Sequence, residues 1–542
     1  MSTAPVAAAP PLTTWPRAGA GGAGIAAARA CRPAAGVVTS LVLYAIACPP
    51  HEWSLAAWIA PGLLLVATRA TSPGRALLCG LFFGGLFGIA ITGWTYHATL
   101  AYFGADRVRA TAFVLVMWLG YAGIPYGLLI AAYGIVARRL APVWLPPVGA
   151  WLWVASEWLR STMLTGLPWE LLGDTQFRNL VVIQIAELGG VCAVSFVVAL
   201  VSIAGAEALR QLARGGTAAA AARIAALPVA VLGATLAYGA WTTAAWAPTP
   251  DAAGARTIAV VQARIPTELR WKRAFFHRTV STYAALTRDA YGMPTREAGH
   301  APLDLIVWPE NAANFYLSDE PMLTAQLGTV ASGATEGLIV GGPRLGDDGL
   351  ARNAAYLVTG EGQIRDAYDK RRLVPFAEYD PFRAVRPSDG GDPDTYVAGA
   401  DVRPIVGRTM TLGTMICYEA LFPHLVRELV RDGADVLVNI SNDAWLDPGD
   451  GSASRQHFSH VVFRAIENRR YMVRASDSGV SGFVAPSGAI YSVVADGTEG
   501  AAVGRVVPLR GTTPYGRFGD AWIALGGLAV AAVVRRRAGS VA

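Results

Sequence analysis

The sequence predicts a polytopic α-helical membrane domain of about eight spans joined to an extracytoplasmic α/β domain. Hydrophobic residues fill 53% of the 542 positions and charged residues only 15%, with a mean hydropathy of +0.38. Soluble globular proteins are less apolar and carry more charge. The acidic residues are also uneven, because residues 1–250 hold only seven of the 39. The two parts of the chain are therefore suited to different solvents.

Eight apolar stretches are candidate membrane spans. A hydrocarbon core about 30 Å thick needs about 20 mostly apolar residues in a helix. Seven stretches before residue 250 approach that length, and a shorter eighth follows the polar part of the chain. They lie near 34–49, 53–68, 76–97, 110–136, 142–159, 181–208, 224–246 and 519–534.

The arginines predict the orientation of these spans, because positive residues that flank spans stay on the cytoplasmic side. With both termini in the cytoplasm, thirteen arginines lie inside and only four lie in the opposite short loops. The four are Arg107, Arg109, Arg160 and Arg178. The seventh span then delivers the polar part of the chain to the outer side.

The domain boundaries follow from these spans. The predicted order is an N-terminal cytoplasmic segment (1–33), a seven-span domain (34–247), an α/β domain (251–515), a C-terminal span (519–534) and a cytoplasmic tail (535–542). The linker Pro248-Thr249-Pro250 marks the main boundary. Beyond it, short β-rich strings alternate with amphipathic stretches. Strands are predicted at 257–262, 303–308, 337–341, 354–358, 410–417, 436–440, 482–485, 489–494 and 502–507, and helices at 273–290, 320–334, 421–431 and 455–470.

The composition disfavours several classes of partner. The net charge is +6, but the arginines are scattered between apolar runs without a basic stripe, so nucleic acid is not expected. Cys417 is the single cysteine of the polar part, so no disulfide can form within that part. His457 and His460 lie three residues apart on a predicted helix, but no third ligand is evident. No metal and no cofactor are predicted.

Three side chains that could carry chemistry follow predicted strands. A cysteine nucleophile needs a base and a fixed cation or donor for the oxyanion, and Cys417, Glu310 and Lys370 supply these roles. Lysine is informative, since only Lys272 and Lys370 occur among 45 basic residues. Taken singly, each of the three is as readily a buried strand cysteine, a loop acid or a surface charge.

Together, these residues and their surroundings resemble the nitrilase (carbon–nitrogen hydrolase) superfamily, whose triad has this composition and chain order. With seven spans before and one after, the chain is similar to the apolipoprotein N-acyltransferases, the membrane-bound branch of that superfamily. The similar motifs are Glu157-Trp-Leu-Arg160, Thr165-Gly-Leu-Pro-Trp169, Trp308-Pro-Glu310, Lys370 with Leu373-Val-Pro-Phe376, Cys417-Tyr-Glu419, Asn439-Ile-Ser-Asn-Asp-Ala-Trp445, Thr513-Pro-Tyr515 and Gly519-Asp520.

The resemblance implies a nitrilase-like αββα sandwich and a two-step acyl transfer in the bacterial cytoplasmic (inner) membrane. A Cys417 thiolate takes an acyl chain from a phospholipid, and the α-amine of a diacylglyceryl-cysteine on an apolipoprotein accepts it. By the same resemblance Glu310 is the base and later the acid, and Lys370 polarises the acyl carbonyl. Supporting positions are Glu378, Tyr418 and Glu419, and the substrate-binding aromatic residues are Trp271 and Trp445.

Two other functions remain as alternatives. A membrane-anchored amidase of the same fold would give the thioester to water, although seven spans exceed what an anchor requires. A transporter with an external binding domain would concentrate ionisable residues and broken helices at the membrane midplane. The three candidate catalytic residues lie outside the predicted spans, which disfavours a transporter.

The arginine distribution makes the orientation testable. We expect reporter fusions at Ala252 and after Arg537 to report opposite sides of the membrane, with Ala252 outside. An enzymatic reporter pair that is active on opposite sides would measure this in cells. If both fusions report the same side, the eighth span is wrong.

Overall fold

The computed structural model describes residues 20–101, 104–247, 252–266, 269, 271–293, 302–380, 396–446 and 449–538. The predicted linker Pro248-Thr249-Pro250 lies outside the described residues, as do residues 1–19 and 539–542.

The described residues up to 247 form helices joined by turns and loops, without a strand, and every predicted span overlaps at least one helix. In a bilayer each backbone polar group must be satisfied within the segment, which a helix achieves. The helices are α1 (Ala20–Ala47), α2 (Ala60–Thr68), α3 (Pro73–Ala90), α4 (Trp94–Ala101), α5 (Arg107–Trp118), α6 (Ile124–Val136), α7 (Leu145–Thr162), α8 (Leu180–Ile183), α9 (Ala186–Ala213) and α10 (Ala218–Ala245).

Among the described residues, four helical segments are long and apolar enough to cross a membrane by themselves: Pro73–Ala90, Arg107–Val136, Ala186–Ala213 and Ala218–Ala245. The count of eight spans stays a prediction. The stretch predicted at 53–68 is divided into a 3₁₀ turn (Ser54–Trp58) and the short helix α2, whose first turn contains Pro61. Proline lacks an N–H and fits best in the first turn of a helix, which is where Pro61 lies in α2.

Glycines allow α3 and α6 to pack at close range. A Cβ atom on Gly80 would lie 2.1 Å from the backbone nitrogen of Gly127, and one on Gly84 would lie 2.1 Å from that of Gly123. Small residues allow membrane helices to approach until their backbones touch. Any larger side chain at these positions would separate the two helices.

The second part of the chain contains two six-stranded sheets. The strands are β1 (Arg256–Gln262), β2 (Leu303–Val307), β3 (Ala334–Leu345), β4 (Ala351–Val358), β5 (Ile364–Asp369), β6 (Ile405–Val406), β7 (Thr411–Ile416), β8 (Val436–Ser441), β9 (Met472–Ser476), β10 (Ser481–Val484), β11 (Ile490–Val494) and β12 (Gly500–Val506). The strand orders are β12-β1-β2-β3-β4-β5 and β11-β10-β9-β8-β7-β6. The central pairs β1–β2, β2–β3, β7–β8 and β8–β9 are parallel.

Helices cover the outer faces of the two sheets. They are α11 (Arg273–Tyr291), α12 (Pro321–Ala331), α13 (Pro423–Arg431) and α14 (Ser452–Asn468). Two further helices follow in the chain, α15 (Pro514–Phe518) and the C-terminal helix α16 (Ala521–Ala538). One apolar core joins the facing sides of the two sheets, and a second joins the first sheet to α11 and α12. A third core joins α13 and α14 to the membrane helices. The predicted αββα sandwich is therefore confirmed, with one helix layer against the membrane part.

All nine predicted strands and four predicted helices of this part are present, but β5, β6 and β9 were missed. Two of the three carry charges that interrupt an apolar pattern. The sequence of β5 (IRDAYD) is partly exposed, while β9 (MVRAS) buries Arg474 completely. The strand β6 has only two residues.

Gln456 of α14 joins the sandwich to the membrane helices through four hydrogen bonds. Its Oε1 accepts from the indole nitrogens of Trp94 (3.1 Å) and Trp169 (2.8 Å). Its Nε2 donates to the carbonyls of Ile91 (2.7 Å) and Pro49 (3.2 Å). Because Gln456 is fully buried, each of these bonds is made where water does not compete.

We expect Gln456→Ala to lower the melting temperature of the detergent-solubilised protein by about 5 °C or more. Removing the amide leaves buried donors and acceptors without partners, at about 1–3 kcal/mol each. Differential scanning fluorimetry would measure the shift. The matched control is Ser459→Ala on the same helix, which removes one local bond to the Gln456 carbonyl. An equal fall in both variants would contradict this account of the junction.

Candidate active site

The three predicted catalytic residues come together where strands of both sheets end. Glu310 lies just after β2, Lys370 immediately follows β5, and Cys417 immediately follows β7. All three line one cleft of about 790 Å³, together with Glu378. Strand ends are suited to this, since a rigid core holds the backbone while the following loop presents a side chain.

Lys370 is a buried ammonium held between two carboxylates. Its Nζ lies 3.1 Å from Glu310 Oε1 and 2.8 Å from Glu378 Oε1. Asn353 of β4 donates to the same two oxygens, at 2.7 and 2.8 Å. Burial lowers the pKa of Lys370, but Glu310 and Glu378 outweigh it and hold the pKa well above its usual value. Lys370 is therefore a fixed positive charge rather than a base.

The second oxygen of each carboxylate is also fixed. Glu310 Oε2 accepts the backbone N–H of Asn442 at 3.0 Å, and Glu378 Oε2 accepts that of Val374 at 2.7 Å. Both acids are thus oriented by a side-chain amide, an ammonium and a backbone donor. Their geometry is preorganised before any substrate enters.

Cys417 begins a tight turn with an unusual backbone conformation. Its φ is +50°, in the left-handed region that residues with a Cβ rarely adopt, and the residue is only 2% exposed. Burial raises the pKa of the Cys417 thiol and Glu310 raises it further, while Lys370 lowers it. The group is a thiol at neutral pH, so a base must take its proton as the sulfur attacks.

Glu419 supports this turn from behind the cleft. Its carboxylate accepts backbone N–H groups of Ile416 (2.7 Å), Arg371 (2.7 Å) and Arg372 (3.0 Å), and the hydroxyl of Tyr368 (2.8 Å). Burial raises its pKa to about 7. Glu419 thus connects the segment that begins with Lys370 to the strand that ends at Cys417.

Tyr418 and the two predicted aromatic residues lie at the edges of the site. The Tyr418 hydroxyl donates to the carbonyl of Gly166, in the loop after α7, at 3.1 Å. Trp271 is about half exposed and lines the 790 Å³ cleft. Trp445 lines the same cleft and also a second, apolar cavity.

The apolar cavity extends from Cys417 towards the membrane helices and has a volume of about 120 Å³. Its walls come from α4 and α5, from the loop after α7 and from the segment after Lys370. They include Trp94, Ala98, Phe113, Met117, Leu167, Trp169 and Phe376. Cys417 lines both this cavity and the polar cleft, so a group attached to its sulfur can face either one.

Sequence reasoning assigned no part in catalysis to several residues that shape the site. Asn353 gives no signal beyond being a polar residue in an apolar strand. Asp443, His457 and Arg474 form a buried network next to Cys417. Possible ligand atoms of Cys417, Asp443 and His457 lie within 4.8 Å of one another, and these residue types are found in metal sites. However, the Arg474 guanidinium already lies 2.6 Å from Asp443 Oδ2 and 3.3 Å from His457 Nδ1.

Comparison with known proteins identifies the relatives of this chain. Residues 40–204 match the family model of the apolipoprotein N-acyltransferase N-terminal domain, and residues 257–512 match that of carbon-nitrogen hydrolase. The apolipoprotein N-acyltransferase of Geobacter metallireducens is 32% identical over 523 residues, which cover 93% of this chain and 95% of the relative. This chain belongs to the apolipoprotein N-acyltransferase family.

Other members of the family align over similar lengths. The enzyme of Pseudomonas paraeruginosa is 31% identical and that of Vibrio cholerae 28%, over 89% and 92% of this chain and 90% and 96% of the relatives. A crystal structure of carbon-nitrogen hydrolase from Helicobacter pylori G27 covers 46% of this chain and 89% of its own, at 18% identity and a TM-score of 0.37. The two family models and these relatives identify the chain as an enzyme of the acyltransferase class, with a membrane domain and a carbon-nitrogen hydrolase domain.

We expect Lys370→Arg to reduce acylation of Cys417 roughly a hundred- to a thousand-fold, although the charge is kept. Guanidinium is planar and larger than ammonium, so it cannot occupy the space between Glu310 and Glu378 and still meet an oxyanion. The rate would be followed with labelled phospholipid and the purified protein. Lys272→Arg is the matched control, since Lys272 is exposed just before α11 and is the only other lysine. A rate for Lys370→Arg within a few-fold of the parent would contradict the role of Lys370.

Proposed function

We propose that this protein transfers an acyl chain from a membrane phospholipid, through a thioester on Cys417, to the α-amine of a diacylglyceryl-cysteine at an apolipoprotein N-terminus. The observation that carries the proposal is the position of Cys417 between an apolar cavity and a polar cleft. An acyl chain suits the cavity beside the membrane helices. A peptide N-terminus suits the larger cleft, which Trp271 and Trp445 flank.

In the first step Glu310 takes the thiol proton while the Cys417 sulfur attacks the ester carbonyl carbon. The developing oxyanion lies next to the Lys370 ammonium, which stabilises it. Collapse of the tetrahedral intermediate breaks the carbon–oxygen bond, and Glu310 returns the proton to the departing glycerol oxygen. A lysophospholipid leaves, and the acyl chain stays on the sulfur.

In the second step the acceptor amine attacks the thioester carbonyl carbon. Glu310 takes one amine proton, the carbon–sulfur bond breaks, and the proton returns to the Cys417 sulfur. The product is an amide. The partners of Glu310, which are Lys370, Asn353 and the Asn442 N–H, hold its two oxygens in place for both steps.

The runner-up is an amidase of the same fold, in which water takes the acyl group. A hydrolase of soluble amides has no use for an apolar cavity that opens beside α4 and α5. The thioester carbonyl would also lie against Phe376, Trp169 and Tyr418, which limit the access of water. These contacts favour an acyltransferase over an amidase.

The proposed location is the bacterial inner membrane, with the α/β part on the outer side and both termini in the cytoplasm. The arginine distribution supports this orientation. Lipoprotein N-termini anchored in the outer leaflet would then face the cleft without crossing the bilayer.

Mass spectrometry of a lipoprotein N-terminus from cells with and without this protein tests the proposal. We expect one additional amide-linked acyl chain in cells that carry the parent chain and none in cells that carry Cys417→Ser, because a hydroxyl ionises far less readily than a thiol. Blotting for both proteins in the membrane fraction controls for expression. An N-terminus that gains the chain with Cys417→Ser, or that does not gain it with the parent, would overturn the proposal.

A further inference from the structure

Next to Cys417 lies a buried polar network of His457, Asp443, Arg474, Ser441 and Ser476. Each of these five residues is at most 1% exposed. They come from α14, β8 and its following loop, and β9. None of them belongs to the Glu310, Lys370 and Cys417 triad.

Asp443 is the centre of the network. Its Oδ1 accepts from Ser441 (2.7 Å) and faces His457 Nδ1 (2.9 Å), while its Oδ2 accepts from Arg474 (2.6 Å) and Ser476 (3.1 Å). Although burial raises the pKa of Asp443, Arg474 and His457 outweigh it and hold the pKa well below its usual range. Asp443 is an ionised carboxylate that holds the Arg474 guanidinium, and the same guanidinium nitrogen lies 3.3 Å from His457 Nδ1.

The other nitrogen of His457 reaches the nucleophile. His457 Nε2 lies 3.0 Å from the backbone carbonyl oxygen of Cys417. A carbonyl only accepts, so a hydrogen bond here needs the proton on Nε2. In that neutral tautomer Nδ1 is an acceptor, and the Arg474 guanidinium lies 3.3 Å from it. This bond is made to the residue whose backbone is in the left-handed conformation, φ +50°, at the point where β7 ends. A strained conformation persists only where surrounding contacts determine it.

We propose that His457 is a positioning residue for Cys417, which holds the nucleophile's backbone by donating from Nε2 to its carbonyl. The inference rests on the proposed thioester at Cys417, because only a reacting sulfur needs this precision. The function of the Asp443 and Arg474 pair is then to present that donor.

The position of His457 explains why sulfur placement depends on it. The ring packs against Trp169, with 5.7 Å between centroids, and lines the apolar cavity together with Cys417. Neighbouring Gln456 bonds to Trp94 and Trp169, two walls of that cavity. Successive residues of α14 therefore fix the cavity walls and the nucleophile relative to each other. A displacement of about 1 Å at a reacting atom can cost a hundred-fold in rate.

Two amide variants separate positioning from general packing. The Nε2 of glutamine reaches the place of imidazole Nε2 and can donate to the Cys417 carbonyl. The shorter asparagine reaches only the place of Nδ1, next to Asp443. Both side chains are neutral, polar and smaller than or similar to imidazole, so they differ chiefly in this one bond. Ser459→Ala, also buried on α14, is the control for the helix itself.

The experiment measures Cys417 acylation by labelled phospholipid and Cys417 alkylation by iodoacetamide, each with the melting temperature, for purified His457→Gln, His457→Asn and Ser459→Ala. We expect the saturated acylation rate of His457→Asn to fall about a hundred-fold, with little change in the phospholipid KM. The rate of His457→Gln should stay within about five-fold of the parent, and Ser459→Ala should match the parent. Alkylation should follow the same order.

Equal rates for His457→Gln and His457→Asn would overturn the proposal. This holds if both rates are near that of the parent, and also if both are low while the melting temperatures are those of the parent. If one variant is unfolded, the alkylation rate of the other variant is compared with that of the parent. A lower rate in His457→Gln, or an unchanged rate in His457→Asn, would contradict the proposal. Failure of the proposed function is distinguishable, because a parent that never forms a thioester still gives an alkylation order for the variants.

Discussion

The Lys370 ammonium, enclosed by Glu310 and Glu378, is the interaction on which the rest of the site depends. Burial lowers the pKa of the Lys370 ammonium, but its two acidic neighbours outweigh burial and hold that pKa high. Burial, followed by Glu310, raises the pKa of the Cys417 thiol. The base that removes the thiol proton therefore lies next to the fixed positive charge that stabilises the oxyanion. Asn353 and two backbone N–H groups hold this arrangement without substrate.

The sandwich places that charge cluster at a boundary between two environments. One outer helix layer, α13 and α14, packs directly on the membrane helices, and the strand β7 carries Cys417 to the same side. The nucleophile therefore adjoins an apolar cavity towards the membrane and a polar cleft away from it. Gln456 and His457 lie next to each other on α14 and contact the cavity walls and the nucleophile. In this account, the single helix α14 fixes the position of the lipid donor relative to the catalytic base.

Much of this architecture was predictable, because its signals are local in sequence. The apolar runs, the nine predicted strands and the residues at strand ends each follow from periodicity and residue type. What the sequence could not supply depends on partners far apart in the chain, such as the Trp94 bond to Gln456, 362 positions away. The strand β9 was missed because its buried Arg474 breaks the apolar pattern, and only the fold pairs that charge with Asp443. The contacts that join His457, Asp443 and Arg474 could not be predicted for the same reason.

The central claim is that Cys417 carries an acyl chain from the cavity to an amine in the cleft. The most direct measurement isolates the acylated protein after exposure to phospholipid alone and then follows its intact mass over time. The account predicts a long-lived adduct on Cys417 in buffer that disappears rapidly, with stoichiometric amide product, when a diacylglyceryl-cysteine peptide is added. An adduct that is lost to water at the same rate with and without the peptide would contradict it.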